Sequence, residues 1–105
     1  PAAPVTYSVA KAALNAYVKG IARPLGDDGI RICGIAPGNI LFEGSVWDAK
    51  LSENPDSVSQ MLDQEVPLRK LGTPAEVASL ALFLASPKSN YSTGDVWIVD
   101  GGQTR

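Results

Sequence analysis

The chain has 105 residues, enough for one small domain and too few for two. Hydrophobic residues are 45% and charged residues 19%, and 9 basic against 11 acidic side chains give a net charge of −2, so the composition is that of a globular protein without a basic block for nucleic acid or an anionic membrane surface. The absence of histidine and the single cysteine exclude Ser-His-Asp and Cys-His catalysis, histidine-ligated zinc and any internal disulfide, and no metal site is expected.

The opening Pro1-Ala2-Ala3-Pro4 has neither the charged start nor the apolar core of a signal peptide, and no apolar run approaches about 18 residues. A first residue other than Met leads us to expect a chain that begins mid-protein, and a cytoplasmic one. Ala10, Ala13, Leu14, Tyr17, Val18, Ile21 and Leu25 then follow three-four spacing, which predicts a helix from about Val5 to Arg23. Pro24 has no N–H for the carbonyl of Gly20, so the helix is expected to kink or end there. Tyr7 and Lys11 lie near its start, one turn apart, and project from one face. A free phenol titrates near pH ~10. A cation a few ångströms away favours the phenolate and brings such a group toward acid–base chemistry near neutral pH. Taken alone, a tyrosine and a lysine on an ordinary helix surface is the simpler reading, because a two-residue pattern recurs by accident.

Asp27-Asp28-Gly29 reads as a turn. Ile30 to Ala36 is nearly all apolar and β-branched, the pattern of a strand buried on both faces of a parallel sheet, with Cys33 inside it as a small hydrophobe. Pro37-Gly38 stops that strand. From Asn39 to Pro67 the pattern weakens, although Asp56 or Asn54 can cap a short helix burying Val58, Met61 and Leu62. Thr73-Pro74-Ala75-Glu76 is a clear helix start, with threonine at the cap, proline at the first position and glutamate at the third. Val77, Leu80, Ala81 and Leu84 line one face of that helix, which ends at Ser86-Pro87. Asn90-Tyr91-Ser92 matches a glycosylation acceptor by coincidence. Thr93-Gly94 turns the chain into a second buried strand, Val96 to Val99, closed by Asp100-Gly101-Gly102. Two buried strands joined by a helical crossover imply a parallel sheet. Such a pair cannot cover both its faces and its edges alone, so the chain is expected to be part of a larger α/β sheet supplied by further residues or a partner.

In this order the motifs resemble the C-terminal part of the short-chain dehydrogenases/reductases. Tyr7-x-x-x-Lys11 leads a helix rich in small residues. Gly29-Ile30-Arg31-Ile32 resembles the approach to the family's sixth strand, and Ile35-Ala36-Pro37-Gly38 its end. Pro67 to Ala78, with Gly72-Thr73-Pro74-Ala75-Glu76 at its centre, resembles the lead into the last large helix. Thr93-Gly94 and Val99-Asp100-Gly101-Gly102 resemble the closing strand. The resemblance implies an α/β fold, the C-terminal portion of a Rossmann-type doubly wound parallel sheet over residues 1–105, with residues 39–66 as a substrate-covering insertion and the N-terminal dinucleotide-binding half absent.

It further implies hydride transfer between NAD or NADP and a small-molecule alcohol/carbonyl substrate. Tyr7 would be the acid–base, Lys11 would assist it and bond the nicotinamide ribose, and Pro37, Gly38 and the backbone near Ile40 would line the nicotinamide ring. A loop just past the C-terminal end of a parallel strand is where open α/β sheets bind ligands, which agrees with that assignment. For Gly101-Gly102 a turn with close backbone approach is expected instead of a phosphate cradle.

The departures matter as much. The family's glycine-rich fingerprint, its NAD/NADP selector and its catalytic serine precede the tyrosine motif, and none of them is in this chain; Ser8 is not that serine. Phe42 stands where many members have a threonine that bonds the cofactor. Cys33 replaces a frequent asparagine and Pro24 a frequent acidic residue. Trp47 and Met61 either wall an apolar substrate pocket or merely pack small helices together. The isolated chain is therefore expected to be inactive, and to exist as a homo-oligomer or bound to an N-terminal half. The alternative is a non-catalytic module that assembles through its sheet edge and helix faces.

Overall fold

In the computed structural model, which describes residues 3–104, the chain builds two short parallel strands and the helices that flank them. Strand β1 (Gly34–Pro37) pairs with β2 (Val96–Val99) in the register Gly34–Val96 to Pro37–Val99. Helix α1 (Val5–Asp27) precedes β1; α2 (Val46–Glu53), α3 (Pro55–Glu65) and α4 (Pro74–Ala85) lie between the strands, and a 3-10 turn over Pro87–Ser89 leads toward β2. The parallel pair with its helical crossover is the one that the sequence implies. Pro1 and Ala2 of the opening segment lie outside the described residues.

Several expectations need correction. Helix α1 runs through Pro24 to Asp27 instead of ending near Arg23. The carbonyl that Pro24 leaves without a donor belongs to Gly20, which is exposed with open space around it, so water can serve that oxygen. The strand expected over residues 30–36 is ordered as a ladder only over Gly34–Pro37, and it is half-buried instead of buried. Pro37 is its last paired residue and not a residue beyond it. One neighbouring strand gives residues 30–33 no ladder; Ile32 instead accepts from the Gly94 N–H at 2.7 Å and donates to Thr93 Oγ1. Cys33 is accordingly half-buried, its thiol 3.6 Å from the Ser92 carbonyl. On β2, Ile98 is 58% exposed, so that strand is not buried either.

The caps form as their residue types dictate. Thr73 Oγ1 accepts from the Glu76 N–H while the Glu76 carboxylate accepts from the Thr73 N–H, a complete capping box. Asn54, not Asp56, caps α3 by accepting from the Ser57 N–H. Helix α2, capped by buried Ser45, has no strong apolar period, and the sequence did not announce it. It packs chiefly against α3, where Val58 is buried and Met61 and Leu62 are half-buried. Arg31 binds the far end of α4: its Nη2 donates to the Leu84 and Ser86 carbonyls, its Nη1 to the Ser92 carbonyl and Ser89 Oγ.

The core is small. Among the described residues the buried apolar side chains are Val18, Ala22, Val58, Val66 and Leu84. The C-terminal half of α1 meets the turn that leads into β2, with Ala22 against Gly94, whereas Ala10, Ala13, Leu14 and Tyr17 of its apolar face are exposed. On α4, Val77, Leu80 and Leu84 face inward as the spacing predicts, and Ala81 does not; it borders an open groove with Gly29, Cys33, Ile35 and Ala85 along the free side of β1. The accessible surface is 7612 Å², against roughly 5,600 Å² for a folded monomer of this mass. The radius of gyration is 16.2 Å, where about 13 Å is usual for this length.

Candidate active site

Helix α1 fixes the first two candidate residues. Its geometry repeats every 3.6 residues, so Tyr7, Lys11 and Asn15 stay on one side. The Lys11 Nζ lies 5.5 Å from the centroid of the Tyr7 ring, and Tyr7 is 55% exposed. Further along the helix, Asn15 and Lys19 border a cleft whose opposite wall is Ala36, Pro37 and Gly38, with Asp100, Gln103 and Thr104 beside them. The cleft thus opens between α1 and the strands, reaching from Asp95 and Val96 at the start of β2 to the residues just past the ends of β1 and β2. Tyr7 and Lys11 do not line it; Tyr7 stands about 12 Å beyond Asn15 along the helix axis. The pair projects from the helix beyond the cleft.

The second group, Pro37, Gly38 and Ile40, occupies the loop that leaves β1. The Gly38 N–H donates to the Val99 carbonyl at 2.8 Å, so the loop stays on β2 for one residue past the ladder. A Cβ on Gly38 would stand 2.7 Å from the Asp100 Cβ and 2.9 Å from its Cα, which is why glycine is required there. Ile40 then forms an isolated parallel bridge with Gly72. Around it the Leu41 N–H donates to the Gly72 carbonyl at 2.8 Å and the Gly72 N–H to the Asn39 carbonyl at 2.9 Å. At Gly72, unlike Gly38, a Cβ would meet only the tip of the Ile40 side chain, Cδ1 at 2.7 Å, which can swing aside.

Three residues at this end of the sheet are not among the site candidates that the sequence offers. Asn39 Nδ2 donates to Gln103 Oε1 at 3.0 Å. The Asp100 carboxylate accepts from the N–H groups of Gly102 and Thr104, both at 2.8 Å. Thr104, through its side chain and then its N–H, holds the Asp100 carboxyl below the usual aspartate value. An aspartate ahead of two glycines is a legible turn signal; nothing marks Gln103 as the partner of a residue so far back in the chain. Gly101 and Gly102 have φ of 67° and 91°, and a Cβ on either would meet Val66 or Pro67 at 2.8 and 3.0 Å. They form the close-approach turn expected of them.

At the start of α4 the Thr73 and Glu76 side chains already take the N–H groups of Glu76 and Thr73. Lys70 binds Glu76 at 2.9 Å and, with Thr73, holds the Glu76 carboxyl below the usual glutamate value. Phe42 is 53% exposed and its N–H donates to Ser45 Oγ. Among the described residues no helix is long and apolar enough to cross a membrane, and no cluster of acidic or cysteine side chains could hold a metal ion.

Comparison with known proteins fits this geometry. A family model described as enoyl-(acyl carrier protein) reductase matches residues 1–104. Isoepoxydon dehydrogenase of Penicillium expansum is 39% identical over 99 residues, covering 94% of this chain and 38% of that protein. The 7alpha-hydroxysteroid dehydrogenase of Escherichia coli is 39% identical over 97 residues, covering 92% of this chain and 36% of that one. Among solved structures, a hydroxysteroid dehydrogenase from Escherichia coli superposes with a TM-score of 0.81 at 37% identity, over 94% of this chain and 39% of that one. An NADPH-bound short-chain oxidoreductase from Pseudomonas aeruginosa gives a TM-score of 0.79 at 32% identity, over 93% and 38%. The chain therefore spans well under half the length of the proteins it matches. It belongs to the short-chain dehydrogenases/reductases, a family of oxidoreductases built on the Rossmann fold, and it matches their C-terminal part.

Proposed function

We propose that this chain is the C-terminal part of an NAD(P)-dependent oxidoreductase that interconverts an alcohol and a carbonyl compound. The supporting observation is the Tyr7–Lys11 pair on a helix whose next turns border a cleft that runs along two parallel strands to the loops past their C-terminal ends. Tyr7 gives its phenolic proton to the substrate oxygen in reduction and takes it back in oxidation. Lys11 keeps a positive charge beside the oxygen on which negative charge develops, and reaches the nicotinamide ribose. Pro37, Gly38 and Ile40 form the wall on which the nicotinamide ring rests. Residues 39–66, carrying α2 and α3, cover the substrate.

The residues present fit only one end of the cofactor. An apolar wall past the strand ends suits a flat ring, whereas α2, α3 and α4 each have a first-turn donor taken by a side-chain cap. When bound, the nicotinamide supplies the hydride donor or acceptor. The site for the pyrophosphate comes from an N-terminal half, preceding in the same polypeptide or in a partner, which covers the groove along β1 and completes the sheet. Copies of the completed unit then associate as a homo-oligomer in the cytoplasm.

In the complete enzyme, Tyr7→Phe removes one hydroxyl and little surface. Turnover should fall to background while NAD(P) affinity stays within about twofold, a change of under 0.5 kcal/mol. Lys11→Ala should lower both. Near-wild-type turnover in Tyr7→Phe would refute the acid–base role, and unchanged cofactor affinity in Lys11→Ala would refute the ribose contact.

A further inference from the structure

The candidate cofactor loop and the covering segment are both rooted on one five-residue turn at the end of the described chain, Asp100–Thr104. The loop reaches it through Asn39 Nδ2 to Gln103 Oε1 at 3.0 Å and through the contact of Gly38 with Asp100. The far end of the covering segment reaches it through the Leu68 N–H to the Gly101 carbonyl at 3.0 Å, with Val66 and Pro67 against Gly101 and Gly102. The turn is itself held closed by the two N–H groups that donate to the Asp100 carboxylate. Both glycines sit at positive φ, so the path of the backbone is specific and the Gln103 side chain is delivered to one place.

Taken with the proposed function, on which it rests, we infer that Gln103 and Asn39 are positioning residues that set where the Pro37–Ile40 wall lies. The loop has few other constraints. Gly38 is tied by one backbone bond to Val99, and the next ties, at Asn39 and Leu41, run to Gly72 in an irregular segment instead of a strand. The Asn39–Gln103 bond joins residues far apart in sequence, is half-buried, and is the side-chain bond that links the loop to the end of β2. Without it Asn39 keeps its carbonyl bond to Gly72, so the loop stays folded but is free to shift its ring-facing wall. The effect should therefore fall on the nicotinamide end of the cofactor and not on the fold.

The complete enzyme carrying Gln103→Leu tests this. Its affinity for NAD(P) should fall about tenfold, the loss of one half-buried hydrogen bond's worth of positioning, with kcat also reduced. Affinity for ADP-ribose, which lacks the nicotinamide, should be unchanged, and the melting temperature should stay within a few degrees. Gln103→Glu, which keeps the acceptor oxygen, should restore NAD(P) affinity. Asn39→Leu should reproduce the Gln103→Leu defect, and the double variant should be no worse than either single one. If ADP-ribose binding falls in parallel with NAD(P), the turn merely supports the fold and the inference is overturned; it is overturned equally if Gln103→Leu binds NAD(P) as the wild type does. A wild-type enzyme that binds neither ligand would overturn the functional reading itself, and the positioning role with it.

Discussion

Arg31 is the side chain whose loss should be felt most widely, and the structure allows its worth to be worked out. Replacing it by alanine removes four donated hydrogen bonds: to Leu84 O at 2.9 Å, Ser86 O at 3.2 Å, Ser92 O at 3.2 Å and Ser89 Oγ at 3.1 Å. Counting each at the usual 1.5–3 kcal/mol for a charged donor would give about 6–12 kcal/mol, which is far too much. The Leu84 carbonyl keeps the buried Ser89 hydroxyl as a donor at 2.8 Å, and the Ser86 carbonyl keeps the Ser89 N–H at 3.3 Å. The Ser92 carbonyl is left with only the Cys33 thiol. One charge-assisted bond is thus lost without replacement, and the cost should be about 2–3 kcal/mol. Denaturant unfolding of the complete enzyme reads this as a lower midpoint at unchanged slope, and thermal melting as a fall of about 5–10 °C for a protein of that size. Arg31→Lys should recover no more than half, because an ammonium is a point donor and cannot span acceptors served by both arms of the guanidinium. A cost below about 0.5 kcal/mol for Arg31→Ala would show that the network is surface decoration. Equal stability of the lysine variant and wild type would show that charge alone matters.

Acid should loosen the two carboxylate-closed structures together. Asp100 and Glu76 are both held below their usual values in the fold, so their contribution is fully present above the unfolded values, roughly pH 4, and is lost as the pH falls through the lowered folded ones. The melting temperature should be flat from pH 7 to about 5 and drop below about 4; Glu76→Gln should make that drop shallower, and an unaltered acid limb in this variant would contradict the assignment. The isolated 105-residue chain should show no NAD(P)-dependent alcohol oxidation and should sediment as an oligomer at micromolar concentration. Turnover by the purified chain, or a cooperatively folding monomer, would refute the reading that it needs a counterpart.

How much of this was readable depended on whether the signal was local. Thr73, Pro74 and Glu76 satisfy one another within a single turn, and the capping box formed as written. The helix α1, the parallel strands and the Gly101-Gly102 turn were likewise carried by spacing and backbone chemistry. Helix α2 was missed because Val46 to Glu53 has no apolar stripe; a buried Ser45 and the Asp48 carboxylate, which accepts from the Gly44 N–H, start it instead. The Asn39–Gln103 bond was illegible because side-chain pairs distant in the chain leave no period. Tyr7 and Lys11 were found by spacing. Their relation to Pro37 and Gly38 came from the family resemblance, and the described residues bring only Asn15 and Lys19 to that wall.

The error over β1 and the projecting Tyr7 have one physical origin. A run such as Ile30 to Ala36 is apolar on both faces because it is suited to a strand with neighbours on both edges and helices on both sides. With β2 as the one partner among the described residues, the ladder reaches from Gly34 to Pro37, and Cys33 and Ile35 border an open groove. The same shortage leaves Ala10, Ala13, Leu14 and Tyr17 of α1 uncovered, so the turns bearing Tyr7 and Lys11 have nothing to dock on. The excess of about 2,000 Å² over a monomer's surface measures that shortage. It is the size of a full protein–protein interface, not of a few frayed residues. The apolar pattern of residues 30–36 thus describes an environment that the sheet has when its edge is paired.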